Sequence, residues 1–389
     1  MVFKRSSAWG PSRVVTHVSS PSVPFVHNLV DGVSSENRSK KPSISAPNPS
    51  DDTQNDTNTD HLKTPASVTS NRLSYFKSLL SADFCSVTQL QKESWVGIPS
   101  EVRGEVWSFL LFFYPADNKR RRSATSSKVK EYHALATKYT ESLSQSNFKD
   151  SVRQISVDLI RTCPDLPFIQ LPSINSMLSR ILFVYAVRHS GAGYVQGMND
   201  LAIPFLITLI LSKTNQSCDD YQSIDISTLT EQDFVDIEAQ LYLLFEKFME
   251  KLESLYINDQ RGFSIMVQAL EHLISRCSHT TLLYNHWKSI ELKVNLFAFR
   301  WMSCLLLREL PYSLGLRLFD TYLSERDYPG FHVFVCMAVL IRLTPQLLSL
   351  DFPNTMMFIQ NIKSITNDWS LSYFEEVISL AYVLYTQQN

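Results

Sequence analysis

Several chemistries are excluded by what this chain has too little of. Its six cysteines, at 85, 163, 218, 277, 304 and 336, form no C-x-x-C pair. They read as reduced core thiols of a cytosolic protein rather than a disulfide framework or a zinc site. The nine histidines give no H-x-x-x-H pair, so a helix-borne zinc centre is not expected. There is no G-x-x-x-x-G-K-[ST] loop to cradle a nucleotide and no G-x-S-x-G elbow to carry a serine nucleophile. Basic residues number 36 and acidic residues 38, which leaves no excess for a nucleic-acid footprint. The apolar run from Leu201 to Leu211 is about half of the roughly 20 residues a membrane span needs. It carries Pro204 and reads as a buried core helix. Ten glycines in 389 residues, and no series of alternating segments with turn signals, argue against a β architecture.

What is present is apolar surface in helical register. Length alone allows two or three domains, and 44% hydrophobic residues supply a sizeable core. Residues 1–68 are rich in Ser, Pro, Asn, Asp and Thr, and Ser50 to Asp60 contains no aliphatic or aromatic side chain. Such a stretch cannot bury enough surface to offset chain entropy, so it is expected to be a disordered tail. Lys4, Arg5 and Arg13 precede any acid, a transit-peptide hint that Pro11, Pro21 and Pro24 oppose. Order is expected near Leu73, and the helical domain is taken as 69–389. Ile174, Met177, Leu178, Ile181 and Tyr185 share one face, as do Phe234, Ile237, Leu241, Leu244, Phe245, Phe248 and Leu252. Ser100 is a candidate N-cap, with Glu101 at the positive helix end. Lys119 to Arg122, followed by Ser123, reads as an exposed connection, and Lys213 to Thr230 as a long loop. His189 reads as a helix-end residue rather than a base.

Two short stretches stand apart. Ile155-x-x-Asp158-x-x-Arg161-Thr162 leads into Cys163-Pro164, so an arginine falls where the proline ends a helix. Asp158, three residues earlier, is placed to hold that guanidinium in one rotamer. Gly191-Ala-Gly-Tyr194-Val-Gln196-Gly197-Met-Asn199-Asp200 sets a glutamine between glycines that permit positive φ and close backbone approach. An amide can orient a water without being a base. An arginine and a glutamine are the side chains a slow GTPase needs to complete its hydrolytic site.

The pair resembles the signature of the TBC domain, a family of GTPase-activating proteins for Rab GTPases. The first family motif, Ile-x-x-Asp-x-x-Arg-Thr, is matched at every fixed position. The second, Tyr-x-Gln-Gly-Met-Asn, is matched from Tyr194 to Asn199. Phe297 to Met302 and Asp320 to Glu325 are similar to two further family blocks, and the likeness extends over about residues 95–385. It implies an all-α, multi-helix TBC domain behind the N-terminal tail. Both finger motifs lie in the part up to about 255, and a C-terminal helical part follows. By the same resemblance Arg161 is an arginine finger and Gln196 a glutamine finger, both supplied in trans. Asp158, Thr162, Tyr194, Gly197, Asn199 and Asp200 support them, and Arg300, Trp301 and Asp320 serve docking or structure.

The implied partner is a GTP-bound Rab GTPase that brings its own GTP and magnesium. The chain then needs no cofactor or metal, and it is an activator rather than an enzyme in the strict sense. Its location is cytoplasmic, with transient membrane association through the Rab. The Arg-Thr-x-Pro form of the first motif points to the Golgi and early secretory membranes. The alternative is a non-catalytic Rab-binding or scaffold module of the same fold. One departure is Phe319, where the family commonly has tryptophan; it keeps the bulk and loses the N–H donor.

Overall fold

The computed structural model describes residues 65–140, 148–216 and 220–388. Among them the chain is helical, with no strand beyond an isolated antiparallel bridge between Phe84 and Asp117. Residues 1–64, which hold most of the expected tail, lie outside the described residues, as does Cys218. The first helix begins at Pro65, ahead of the position that composition suggests.

In chain order the first helices are α1 (Pro65–Ser81), α2 (Val87–Ser94), α3 (Arg103–Leu110), α4 (Arg121–Thr140) and α5 (Lys149–Ile160). They are followed by α6 (Pro172–Arg188), α7 (Met198–Thr214), α8 (Glu231–Met249) and α9 (Glu253–Arg276). The last group is α10 (Thr281–Ser289), α11 (Asn295–Ser303), α12 (Tyr312–Ser324), α13 (Tyr328–Leu347), α14 (Phe352–Gln360), α15 (Lys363–Thr366) and α16 (Leu371–Thr386). The central element is α7, which touches α3, α6, α8 and α12. It is apolar all round and buried from Met198 through Ile210, as a helix enclosed on every side must be. Pro204 sits inside it without ending it. The stripe on α8 is buried from Ile237 to Phe248 as its spacing predicts, whereas Phe234 is half-buried and Leu252, also buried, lies beyond the helix end. Its start is fixed by a capping box in which Thr230 and Asp233 satisfy each other's backbone N–H groups.

Two expectations fail locally. Ser100 is not an N-cap: the segment opens with a 3₁₀ turn, Ser100–Val102, with Pro99 at the cap position. The Ser100 hydroxyl donates instead to the Glu101 carboxylate at 3.1 Å. The basic run is not a loose connection either, because Arg121 begins α4. Its guanidinium pairs with Glu105 at 2.6 Å and lies 4.8 Å over the Phe109 ring. A planar cation that is both paired and stacked holds the start of a helix.

The N- and C-terminal parts are joined at Asp320. This wholly buried carboxylate accepts from the Ile98 N–H at 2.9 Å, the Trp107 indole at 2.8 Å and Arg103 Nε at 3.1 Å. Burial pushes its pKa up, and Arg103 and Arg317 oppose that rise. Arg317 pairs with Glu375 at 2.6 Å and lies against Gly97, where φ is +97°. A Cβ at Gly97 would come within 2.8 Å of Arg317 Nε, so the position needs glycine for its conformation and for its space. Phe319 is fully buried, 5.2 Å from Phe248 and 5.9 Å from Phe205 by ring centroid, so its apolar bulk is in use. By length and composition α13 could cross a membrane, but 78% of its apolar window is buried inside the protein.

His332 on α13 is enclosed. Its Nε2–H donates to the Trp301 carbonyl at 2.9 Å, and Nδ1 accepts from the Tyr322 hydroxyl. Burial lowers its pKa from 6.5 to about 4. A folded value below the unfolded one favours the fold above the unfolded pKa. Stability should therefore be complete above about pH 6.5 and decline as pH falls towards 4. Urea midpoints measured across that range should drop for the wild type and drop less for His332→Gln.

Candidate functional site

The site begins where α5 stops. Arg161 caps the helix, with its N–H donating to the Asp158 carbonyl at 3.1 Å. Cys163 then takes a left-handed conformation, φ +44°, ahead of Pro164, and no further helical turn can form. Asp158 faces inward with its side chain 2% exposed, while the Arg161 side chain is 48% exposed. Both Nε, at 3.1 Å, and Nη2 of Arg161 donate to Asp158 Oδ1. Nη1 has no partner among the described residues. An ion pair with one arm in water adds little to stability, on the order of 1 kcal/mol or less. What this one does is fix the direction of the guanidinium.

The second oxygen of Asp158 reaches the other motif. Oδ2 accepts the Tyr194 O–H at 2.8 Å. Burial, and then the Asp158 carboxylate, hold the Tyr194 hydroxyl far above its ordinary pKa, so it remains a donor. Asn199 closes the circuit. Its Oδ1 accepts from the Gly197 N–H at 3.1 Å, and its Nδ2 donates to Thr162 Oγ1 at 2.8 Å. The Thr162 hydroxyl in turn donates to the Asp158 carbonyl at 2.8 Å. These partners leave only one orientation for the Asn199 amide. The structure thus brings together two motifs that lie 35 residues apart, through buried polar groups that satisfy one another.

Between Tyr194 and Gly197 the loop turns Gln196 outward. Gly193 and Gly197 have φ of +63° and +103°; Gly191 does not, so positive φ is used at two of the three glycines singled out. A Cβ at Gly197 would lie 3.2 Å from Cys304 Sγ. Gln196 is exposed, and its amide has no hydrogen-bond partner among the described residues. The backbone around it is pinned, while the side chain is left available.

Asp200, at the first turn of α7, is held from the C-terminal part. Arg308 Nε donates to its Oδ2 at 2.9 Å, and Nη2 is 2.7 Å from the same oxygen. Burial raises the Asp200 pKa and Arg308 works against it. Sequence reasoning missed Arg308. The only signal available was that an aspartate at the start of an apolar helix needs a cation, and no local spacing says which one. Gln170, which donates to the Thr162 carbonyl at 2.9 Å, was missed for the same reason.

The other named residues lie apart from this circuit. Trp301 and Asp320 are completely buried and serve structure. Arg300, half exposed, pairs with the buried Glu309 at 2.7 Å. His189 ends α6 between Glu246 and Glu253, each at 3.2 Å. The Cys163 thiol is pushed up to about 12 by burial, which removes it as a nucleophile at neutral pH. No group of three His, Cys, Asp or Glu among the described residues is arranged to hold a metal ion. The arrangement offers one held cation and one free amide on a fixed frame.

Residues 100–348 match the family model of the Rab-GTPase-TBC domain. The chain is 36% identical over 296 residues to human TBC1 domain family member 22B, an alignment covering 76% of this chain and 58% of that protein. It is 33% identical over 316 residues to GTPase-activating protein gyp1 of Schizosaccharomyces pombe, covering 80% of this chain and 60% of that one. The chain therefore spans well under two thirds of the length of these relatives. Among solved structures, the Ypt/Rab-GAP domain of Gyp1p superposes with a TM-score of 0.76 at 35% identity, covering 82% of this chain and 99% of that one.

Asp158→Ala removes the acceptor shared by Arg161 and Tyr194. Arg161 can turn to water, but the Tyr194 hydroxyl is left buried without its main partner. The expected loss of stability is about 1–3 kcal/mol, below the cost of stranding a buried charge. Urea denaturation of Asp158→Ala beside Tyr194→Phe and the double variant checks it. The double variant should lose less than the two singles added together.

Proposed function

Since the chain belongs to the Rab-GTPase-TBC domain family, we propose that it is a GTPase-activating protein whose substrate is a GTP-loaded Rab. Arg161 enters the Rab's nucleotide site as an arginine finger, and Gln196 positions the attacking water in place of the Rab's own glutamine. The observation that carries this reading is the shared Asp158 circuit. It locks the frame of both motifs while leaving the Arg161 fork half exposed and the Gln196 amide unengaged.

In phosphoryl transfer, charge develops on the equatorial and leaving oxygens of the γ-phosphate, and the protein's contribution is placement and electrostatic stabilisation. Arg161 supplies planar donors, two already oriented by Asp158 and the rest directed outward. Gln196 accepts from the water and donates to a phosphate oxygen. GTP and magnesium belong to the GTPase, and none of the steps assigned to this chain needs a cofactor. Val157 and Ile160 on α5, 53% and 72% exposed, place apolar surface beside Arg161, as a docking face requires. Membrane contact is then transient and comes through the partner GTPase, on the cytoplasmic side of Golgi or other endomembranes.

The reading of the same fold as a non-catalytic binding module differs in one measurable respect. Single-turnover phosphate release should rise when the chain is added to a cognate Rab, and a pure binder would leave it unchanged. Arg161→Lys keeps the charge without the planar fork, and should lose on the order of 10³ in stimulated rate with docking retained. A Rab with its switch glutamine changed to alanine should still respond to the wild type, whereas Gln196→Ala should stimulate even a normal Rab poorly. A fully active Gln196→Ala, together with a resistant altered Rab, removes the glutamine from the mechanism and leaves Arg161 acting alone.

A further inference from the structure

Beside Arg161 the surface opens into a well of about 210 Å³ between the α5 end, α7 and the start of α12. Its lining is mainly apolar, with Ile203, Ile207, Leu307 and Leu316, and includes the buried Asp200 carboxylate, which Arg308 already holds. Three cations stand at its edge, and each is already matched. Arg161 is paired with Asp158, Arg308 with Asp200 at 2.7 Å, and Lys363 with Asp165 at 3.1 Å. Lys363 also lies 4.4 Å over the ring of Tyr312, another edge residue. The open Nη1 of Arg161 is taken up by the Rab's nucleotide site in the proposed mechanism, and with the other charges balanced the edge keeps nothing to pair an acidic or basic guest. It selects something uncharged.

Size narrows the choice. Sites for drug-sized ligands run to about 300–1,000 Å³, larger than this one. A dry cavity of about 150 Å³ is enough to take a benzene ring. The well therefore fits a single aromatic or branched aliphatic side chain surrounded by a polar rim, which is the form of a binding hot spot. Its position supplies the owner of that side chain. Arg161 is part of the well's mouth, so a GTPase that receives Arg161 must close over the same opening.

We infer that this well is an anchor pocket for one apolar side chain of the docked Rab, and that it contributes to choosing among Rabs. The inference rests on the proposed GTPase-activating role. A Rab presenting an apolar residue there displaces water from the well and is held more tightly. One presenting a charged residue must either bury it without a free partner or dock less closely. The pocket acts on docking, whereas Arg161 and Gln196 act on the chemistry.

The test separates the two. Stimulated hydrolysis is measured on a panel of purified GTP-loaded Rabs, with Rab concentration varied so that kcat and KM are resolved. Leu307 is half exposed, and Leu307→Trp fills the mouth. Gly315 lines the wall inside α12, and a Cβ there would sit 3.3 Å from Leu307 Cδ2, so Gly315→Ala narrows the well by one methyl. Alanine is favoured over glycine in a helix interior, so this variant keeps the test decisive if the tryptophan variant folds poorly. For the Rab that responds best, Leu307→Trp should raise KM on the order of tenfold or more, the equivalent of one lost side-chain anchor. Gly315→Ala should raise it severalfold, and kcat should stay within twofold in both. Unchanged KM in folded variants overturns the pocket, as does a fall in kcat at constant KM. A wild-type chain that stimulates no Rab on the panel overturns the GTPase-activating role itself, whatever the variants do.

Discussion

A single buried carboxylate sets the geometry of the site. Asp158 has its two oxygens divided, one to the arginine that ends its own helix and one to a tyrosine from the loop before α7. Neither contact is strong as a contribution to folding. The arginine side is half in water and the tyrosine side exchanges one hydrogen bond for another, so each is worth on the order of 1 kcal/mol. Their value is geometric. Because the same group is shared, the direction of Arg161 and the position of the Tyr194 loop cannot vary independently. Thr162 and Asn199 repeat the linkage through backbone and amide. The proposed fingers therefore share one frame.

The same device recurs at larger scale. Asp200 ties the start of α7 to Arg308, and Asp320 ties α12 to the segment from Ile98 to Trp107. Replacing a buried ion pair by well-packed apolar groups is often neutral or stabilising, so such pairs are poor explanations of stability. They are better explanations of register. Helix packing alone allows α7 and α12 to slide by a fraction of a turn. A buried aspartate with three directed donors permits one arrangement, and in the proposed mechanism an error of about 1 Å costs orders of magnitude in rate.

What the sequence made legible follows from the range of each interaction. The helical stripes on α6 and α8 rest on spacings of three and four residues and the buried run on α7 on an unbroken apolar stretch. Apart from the half-buried Phe234 and from Leu252, which lies past the end of α8, they appear in the structure where the pattern puts them. Within the site, the Asp158–Arg161 contact is also local, three residues along one helix. Arg308 on Asp200 is 108 residues distant and the Asp320 contacts more than 200, and no periodic signal reaches that far. The misreading of Arg121 has the same origin. Four consecutive basic residues look solvated until the tertiary partners Glu105 and Phe109 are known. Ser100 failed differently, because Pro99 suits the entry to a 3₁₀ turn as well as it suits a helix cap.

The two proposed fingers are prepared in different ways, and the difference matches their side chains. A free arginine carries about 2 kcal/mol of rotamer entropy, which docking would have to remove. Asp158 removes much of it in advance, using donors from one edge of the guanidinium and leaving the other edge open. A lysine cannot divide itself in this way, because its donors radiate from one atom. Glutamine has no charge with which to bind a permanent partner cheaply. Here the chain fixes the backbone instead, through a glycine in the left-handed region at 197, whose N–H is held by Asn199. The remaining freedom of Gln196 is confined to its own side chain, which in the proposed mechanism rotates to meet a water whose position the GTPase determines. Fixing the arginine at its tip and the glutamine at its base leaves each group only the motion its partner requires.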